Sequence, residues 1–415
     1  MLAAAEELLK TLQMMPTLLP VIGQHGISGH SAADINLPLL VMQFCVTLWV
    51  FVLGACFGSF LNVVIYRLPV GMSLGRPKSH CPRCETPLAA RDNLPVIGWL
   101  LLRGRCRYCD LPISVRYPMI ESVSGAVFLL LLFSELLTGA ANLPLRHPDH
   151  FAIRSGFWLV YFAEWDLLGI YLLHCTLLIV TLATCMIGYD GHSVPRRLIT
   201  FIAVTGMVVG TIWPELRPVR ALWYPPAYYD WNLQLVWTDP LVSPGAIYAT
   251  GVTTIGFLDG LSGLIFGAIA AAGIVWQAQT LTDEQSRRSL SAAAWSFIGV
   301  GTILGWQGCG MLAVLTIPLI TIVALATRFK AIDRSDRMVR AAGPAFFLLL
   351  SAFIPCWQYL HAAPWMIGVH GFSWTAFGAA TDWAITLSLL AALSVVNRLV
   401  FPATPVESTS NDAAS

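Results

Sequence analysis

Long apolar runs separated by short polar segments fill most of the chain. They lie near residues 39–65, 118–138, 165–189, 197–213, 252–277, 293–307, 308–327, 342–360 and 377–397. A helix needs about 20 apolar residues to cross a hydrocarbon core about 30 Å thick, so this pattern predicts an all-α polytopic membrane protein with eight or nine transmembrane helices. The composition agrees: 56% of the 415 residues are hydrophobic and 11% are charged, with a mean hydropathy of +0.69, whereas about 25% are charged in an ordinary soluble domain.

Basic residues are concentrated in a few of the segments between these runs. Residues 66–117 hold three acids (Glu85, Asp92 and Asp110) and nine basic residues: Arg67, Arg76, Lys78, Arg83, Arg91, Arg103, Arg105, Arg107 and Arg116. Because loops rich in Lys and Arg stay in the cytoplasm, this loop is predicted to be cytoplasmic. Counting spans from it places the segments after Tyr189, around 287–288 and at 328–340 on the same side. The expected surrounding is the lipid bilayer, and no nucleic-acid partner is expected.

Four of the ten cysteines form two Cys-x-x-Cys pairs inside this loop. They are Cys81 and Cys84 in "CPRC" and Cys106 and Cys109 in "CRYC", with 21 residues between the pairs. Each tight turn points two thiolates at one ion, and four soft ligands complete the tetrahedron that zinc prefers. The alternative is a pair of disulfides or unpaired thiols, although a reducing cytosol disfavours disulfides. The pattern predicts a structural zinc site that folds the loop.

The loop and its flanks carry a resemblance to a known family. The segments "GACFGSFLNVVIYRLP" (54–69) and "SHCPRCETPLAARDNLPVIGWLLLRGRCRYCDLPISVRYPMIE" (79–121) resemble the N-terminal domain of bacterial type IV prepilin peptidases. Further on, "LGWQ" (304–307) and "AAGPAFFLLLSAF" (341–353) are similar to later helices of that family. The resemblance implies a multi-pass enzyme of the bacterial inner membrane, with the zinc-knuckle loop on the cytoplasmic side.

The implied activity has two steps. The family's aspartic endopeptidase removes the short basic leader of prepilins or pseudopilins, and its methyltransferase then N-methylates the new terminus with S-adenosylmethionine. Gly104 and Glu121 fall on motif positions of the part associated with methylation. Gly104 is also interpretable as a turn glycine before a knuckle, and Glu121 as a carboxylate near a helix start, where it is favourable.

An aspartic peptidase needs two carboxylates that share a proton. Asp190 fits the family's first acid, five residues before Pro195, although an Asp there is also a favoured cap for the following helix. The second acid is expected in a Gly-x-Gly-Asp turn that opens a later helix. Reading back from Gly301 puts Ala293 at that position, so the motif is missing.

Other acids of the chain are candidates to replace the missing second one. Asp283 is a weak candidate together with its neighbour Glu284, because both share the predicted side of Asp190; a solvated pair beside two arginines is the alternative. Asp259 is predicted to lie a membrane thickness away from Asp190. Ionisable groups inside a span are costly and often functional. No function is predicted, however, for Glu164 and Asp166, which lie near an outer boundary, or for His174, which is interpreted as a core residue.

The chain is therefore predicted to contain an extension (1–38), a prepilin-peptidase-like domain (39–138) with the four-cysteine loop (66–117), an aspartic-peptidase-like membrane domain (160–360), an extra span (361–400) and a disordered tail (401–415). The predicted function is cleavage of prepilin or pseudopilin leaders, with possible N-methylation of the product. The alternative is a catalytically silent scaffold or regulator of pilus or type II secretion assembly, and a third hypothesis retains methyl transfer without proteolysis.

Overall fold

A computed structural model describes residues 37–81, 83–143, 165–218, 251–279, 281, 283–328 and 339–362, and positions 384, 387 and 388. Most of the predicted N-terminal extension and of the extra span, and the whole predicted tail, lie outside these residues, as does Glu164. The chain divides into a short unit, Met1–Met42, and a large one, Gln43–Ser415. The first helix begins in the short unit, and the other described helices lie in the large one.

Every regular element in the described part of the chain is helical, which confirms the predicted fold class. The helices are α1 Leu37–Arg67, α2 Ile97–Leu101, α3 Arg116–Leu131 with a π-turn at Leu132–Leu136, α4 Trp165–Tyr189, α5 Arg196–Ile212, α6 Gly251–Ala278, α7 Glu284–Arg328 and α8 Ala342–Ala362. Short 3-10 turns lie at Ala90–Asn93 and Pro214–Leu216. Within the described residues, five helices are long and apolar enough to cross a membrane, and the total of eight or nine spans stays a prediction.

Helices α1 and α3 form an antiparallel hairpin around the four-cysteine loop. Gly54 packs against the ring of Phe128, and a Cβ added at Gly58 would fall 2.7 Å from the Cα of Glu121. The amide of Asn62 donates to the carbonyl of Tyr117 at the loop end of the pair. Small residues let the two helix backbones approach closely, and the hairpin brings both ends of the loop together.

Helix α7 changes direction at Gly305, which has a left-handed φ of 82° and a ψ of 170°. The Ser289 hydroxyl donates to the Arg340 carbonyl over 2.6 Å, while Gly308 packs against Trp357. From Ser289 to Arg328 a straight helix would be about 58 Å long, and the twelve residues up to Arg340 reach at most about 42 Å. The chain must therefore bend, and it does so at Gly305, near the end of the apolar run predicted at 293–307 and just before the run 308–327.

Antiparallel packing of α6 on α7 depends on glycine. Gly263 lies directly against the carbonyl of Gly301, and Gly267 lies against the carbonyl of Phe297. Two glycines four residues apart on one helix are the small-xxx-small pattern of close helix contacts in membranes. A side chain at Gly263 would overlap the facing backbone, so this contact fixes the distance between the two helices.

Helix α4 lies at the centre of the bundle and runs antiparallel to both α7 and α8. Gly188, near its end, packs against Ala292, and Cys185 packs against Gly343 at the start of α8. The end of α4 and the starts of α5, α7 and α8 therefore meet at one end of the bundle. The segments predicted to share one side of the membrane gather there.

Candidate functional site

The four loop cysteines converge on one point. The Sγ atoms of Cys81 and Cys109 are 3.6 Å apart, those of Cys84 and Cys106 are 4.0 Å apart, and all four lie within 4.8 Å of one another. Four sulfurs at about 2.3 Å from a tetrahedral zinc ion are about 3.8 Å apart, whereas a disulfide bond is about 2.05 Å long. The thiols are free, and their geometry fits a zinc centre rather than two disulfides.

Two matching turns present these thiols. In the first, the Cys81 N–H donates to the Thr86 carbonyl and the Glu85 N–H donates to the Cys81 carbonyl; in the second, Cys106, Leu111 and Asp110 repeat both bonds. Glu85 and Asp110 have left-handed φ values of 54° and 58°. The segments "CPRCETP" and "CRYCDLP" share the pattern Cys-x-x-Cys-acid-x-Pro. The shared acid and proline are a sequence signal for equivalent turns that cysteine spacing alone does not carry.

The turns also set the ionisation of the thiols. The backbone N–H of Cys84 is the main contact that lowers the pKa of Cys81, to about 6. The Thr86 hydroxyl lowers the pKa of Cys84. The N–H of Leu111 favours the Cys109 thiolate, but burial and the neighbouring thiols outweigh it and raise the pKa of Cys109 to about 12. Metal binding would therefore displace the proton of Cys109.

An ion pair between Arg107 of the second turn and a buried carboxylate supports this turn. Arg107 donates to both carboxylate oxygens of Asp92, over 3.0 and 2.5 Å, and the Asp92 side chain is 3% exposed. The hydrogen bonds and charge of Arg107 lower the pKa of Asp92. Gly98 packs directly against the Asp92 carbonyl, and a Cβ at this position would overlap that oxygen.

Gly104 and Glu121, the predicted methyl-transfer residues, have contacts that shape the loop. Gly104 has a left-handed φ of 70°, and a Cβ there would lie 2.8 Å from the ring of Trp99. The Glu121 carboxylate is buried and accepts hydrogen bonds from the Val96 N–H over 2.7 Å and from Ser59. Gly104 thus sits in a tight turn, Glu121 fastens the loop to α3, and their assignment to methyl transfer stays a prediction.

Asp190 follows the last residue of α4. Gly191 closes the helix with a left-handed φ of 77°, and the His192 N–H donates to the Ile187 carbonyl. A carboxylate at the negative end of a helix is unfavourable, and Arg116 compensates by donating to both Asp190 oxygens, each over 2.6 Å. Asp190 does not cap the following helix, since the N-cap of α5 is Pro195, without a side-chain cap bond.

The start of α7 lies against the turn that carries Asp190. Gln285 donates to the Tyr189 carbonyl over 2.8 Å, and Arg288 donates to the Gly191 carbonyl over 2.5 Å. Arg288 also forms an ion pair with Glu284. Glu284 is therefore linked to the Asp190 turn through one arginine.

Asp283 has a different set of partners. Its Oδ2 accepts from the Ser286 N–H over 2.9 Å and from the Ser286 hydroxyl over 2.6 Å, and it lies 3.2 Å from Arg340 Nε. These contacts, the hydroxyl first, lower the pKa of Asp283. Asp283 thus acts as an N-terminal cap of α7, and the carboxylates of Asp190 and Asp283 face different arginines.

The position expected for the second acid lies inside a continuous helix. Ala293 is fully buried in α7, nine residues after the helix begins at Glu284. The segment "SLSAAAW" (289–295) has no glycine, and alanine is the strongest helix former, so no turn forms here. Its neighbour Ala292 packs against Gly188, close to Asp190 in the chain.

Asp259 lies at the opposite end of the bundle, as the sequence predicts. It forms an ion pair with buried Arg217 over 3.6 Å, and Arg217 donates to the Gly256 carbonyl over 2.5 Å. The guanidinium packs against Gly210, near the end of α5 that is distant from Asp190.

The sequence did not predict a buried contact between Glu135 and His174. His174 of α4 lies 2.6 Å from Glu135 in the π-turn, and neither side chain is exposed. His174 therefore lies in the core, as the sequence predicts, and Glu135 is its hydrogen-bond partner. The acid inside the apolar run 118–138 is the signal that could have identified Glu135 as its partner.

Helices long enough to cross a bilayer and a four-thiol loop at one end define a multi-pass helical membrane protein with a zinc-type knuckle domain. Residues 52–134 match the family model described as the bacterial Peptidase A24 N-terminal domain. These residues are therefore similar to the N-terminal domain of bacterial prepilin peptidases, which confirms the resemblance drawn from the motifs of this region. No solved structure matches the chain.

Three relatives illustrate the match. A prepilin leader peptidase/N-methyltransferase of Myxococcus xanthus is 56% identical over 80 residues, covering 19% of this chain and 24% of the relative. One of Klebsiella pneumoniae is 50% identical over 88 residues, covering 20% and 39%. A type 4 prepilin-like proteins leader peptide-processing enzyme of Escherichia coli O78:H11 is 35% identical over 147 residues, covering 27% and 54%. The matches thus span between a quarter and just over half of these relatives.

Proposed function

We propose that the protein processes prepilins or pseudopilins at the cytoplasmic face of the bacterial inner membrane, by removing their leader peptides. The contact between Arg116 and Asp190 carries the proposal. Arg116 lies in the domain shared with leader peptidases, and Asp190 is the candidate acid of the membrane bundle. A domain known from such enzymes therefore meets a partly exposed carboxylate at one end of the helices.

Leader cleavage requires a base to take a proton from water and an acid to donate one to the leaving amine. Asp190, whose side chain is 24% exposed, is proposed as the base. The second acid is proposed to come from the start of α7. Asp283 is the weak candidate of the sequence, but its Oδ2 caps the helix, whereas Glu284 is 68% exposed and linked through Arg288 to Gly191. These contacts favour Glu284.

Zinc would be held by Cys81, Cys84, Cys106 and Cys109 and would stabilise the loop fold without an open coordination position for substrate. The relatives' names include N-methyltransferase, so S-adenosylmethionine is the proposed methyl donor for the new N-terminus. Gly104 and Glu121 stay the proposed residues for this step. Gly104 lies beside the Trp99 ring, and Glu121 accepts a hydrogen bond from the Val96 N–H.

Coexpression with a prepilin in cells lacking their own leader peptidase tests the proposal. We expect leader loss with the wild-type chain, its abolition by Asp190→Asn, and a large decrease with Glu284→Gln. Asp110→Asn, at an exposed acid of the cysteine loop, is the matched control and should leave cleavage intact. Mass spectrometry of the processed N-terminus measures its methylation separately from leader cleavage. Absence of cleavage by the wild-type chain would overturn the proposal and favour the scaffold or regulator.

A further inference from the structure

We propose that Arg116 is a positioning residue through which the four-cysteine loop controls Asp190. The inference rests on the proposed function of Asp190 and names how that site is regulated. Arg116 Nη1 and Nη2 each lie 2.6 Å from one oxygen of the Asp190 carboxylate. Two parallel hydrogen bonds between planar groups fix the orientation of the carboxylate as well as its place.

The backbone and the side chain of Asp190 are held by different parts of the molecule. Gln285 and Arg288 of α7 bond the carbonyls of Tyr189 and Gly191 on either side of it. Within the described residues, the carboxylate itself forms hydrogen bonds with Arg116 alone. Loss of Arg116 should therefore leave the turn in place and free the carboxylate to rotate.

The second cysteine turn determines where Arg116 lies. Cys109 precedes Arg116 by seven residues, and this short link is fastened twice at Ile113. The Ile113 N–H donates to the Gly104 carbonyl over 2.7 Å, and the Trp99 indole donates to the Ile113 carbonyl over 3.0 Å. The fold of the loop thus sets the position of Arg116, the first residue of α3. Disorder at the cysteine site would therefore weaken the two hydrogen bonds from Arg116 to Asp190.

A purely structural role of the Arg116–Asp190 pair and a positioning role of Arg116 predict different effects on turnover. The Arg116 and Asp190 side chains are 38% and 24% exposed, and pairs of this exposure contribute little to stability. Loss of either partner should hardly change thermal unfolding. A positioning role instead predicts a large effect on turnover, because a reacting group displaced by about 1 Å can lose about a hundredfold in rate.

The first experiment measures prepilin cleavage by the purified full-length chain. We expect Arg116→Met, which keeps much of the apolar stem, to lower kcat about tenfold or more with little change in KM. Arg116→Lys, which keeps the positive charge but cannot form the two parallel hydrogen bonds, should recover part of kcat. Arg105→Met is the matched control, since Arg105 forms an exposed pair with Asp110 in the same loop. An unchanged kcat in Arg116→Met would overturn the proposal.

The second experiment does not need activity. Thermal unfolding of wild type, Arg116→Met, Asp190→Asn and the double variant gives the coupling between the two residues. We expect a nonadditive shift of a degree or so that disappears on metal chelation and returns when zinc is restored. Coupling that survives chelation would show that the loop does not control Asp190, and it would overturn the inference. If wild type shows metal-dependent coupling but no cleavage, the proposed function fails while the structural link stands.

Discussion

The four-cysteine loop and the helical bundle are stabilised in opposite ways. In the loop, several large apolar side chains are exposed, including Leu94, Ile97 and Leu100, so four thiols, two matched turns and the ion pair of the Asp92 carboxylate hold its fold. The bundle buries large side chains completely, among them Trp357 and Phe297, and its helices meet at glycines. A few residues at fixed spacing specify the loop, whereas packing spread along whole helices specifies the bundle.

The largest effect should come from breaking the thiol cluster. Cys109→Ser, or removal of zinc, should unfold the loop, because a structural zinc site supplies most of the folding free energy of a small metal-held domain. We expect zinc content to fall and the loop to become sensitive to protease while the helices stay intact. Cys309→Ser, deep in the bundle, should leave the zinc content unchanged. Equal protease resistance with and without metal would contradict the comparison.

Inside the bundle, the strongest single effect should come from splitting the Glu135–His174 pair. Glu135→Ala leaves the His174 ring buried without its hydrogen-bond partner, which costs about 1–3 kcal/mol, and it also leaves a cavity, which adds to that cost. Replacing both residues with leucine should recover most of that stability, since replacing both partners of a buried hydrogen bond with apolar side chains can be nearly neutral. Thermal unfolding of the two variants and wild type measures this, and a double variant no more stable than Glu135→Ala would contradict it.

Overpacking the glycine contact should destabilise the bundle somewhat less. Gly263→Leu places a side chain against the Gly301 backbone, and overpacking costs about 1–3 kcal/mol. Ile265→Leu on an exposed face of the same helix should change the free energy of unfolding very little. Neither variant should alter zinc content, because the loop folds on its own contacts. Loss of zinc with Gly263→Leu would show that the two regions are not independent.

This difference explains what the sequence could and could not predict. The thiol site follows from local spacing, and the apolar runs predict the helices from length alone. The Arg116–Asp190 and Glu135–His174 pairs join residues 74 and 39 positions apart, so no local pattern shows the pairing, although the acid inside the run 118–138 marks Glu135 as unusual. The bend at Gly305 depends on one left-handed residue. For the second acid, the sequence showed only that the Gly-x-Gly-Asp motif is missing around Ala293.

The smallest predicted effect concerns the ion pair beneath the second cysteine turn. Because Arg107 lowers the folded-state pKa of Asp92, the pair stabilises the loop above the unfolded-state pKa of an aspartate, about 3.9. That contribution is lost as pH falls through the lower folded-state pKa. Asp92→Asn should remove about 1 kcal/mol at neutral pH and flatten the acid dependence of loop protection, measured by hydrogen exchange between pH 2 and 6. Asp110→Asn, an exposed acid in the same loop, should leave that dependence unchanged. An Asp92→Asn profile as steep as that of wild type would show that the thiols alone hold the loop.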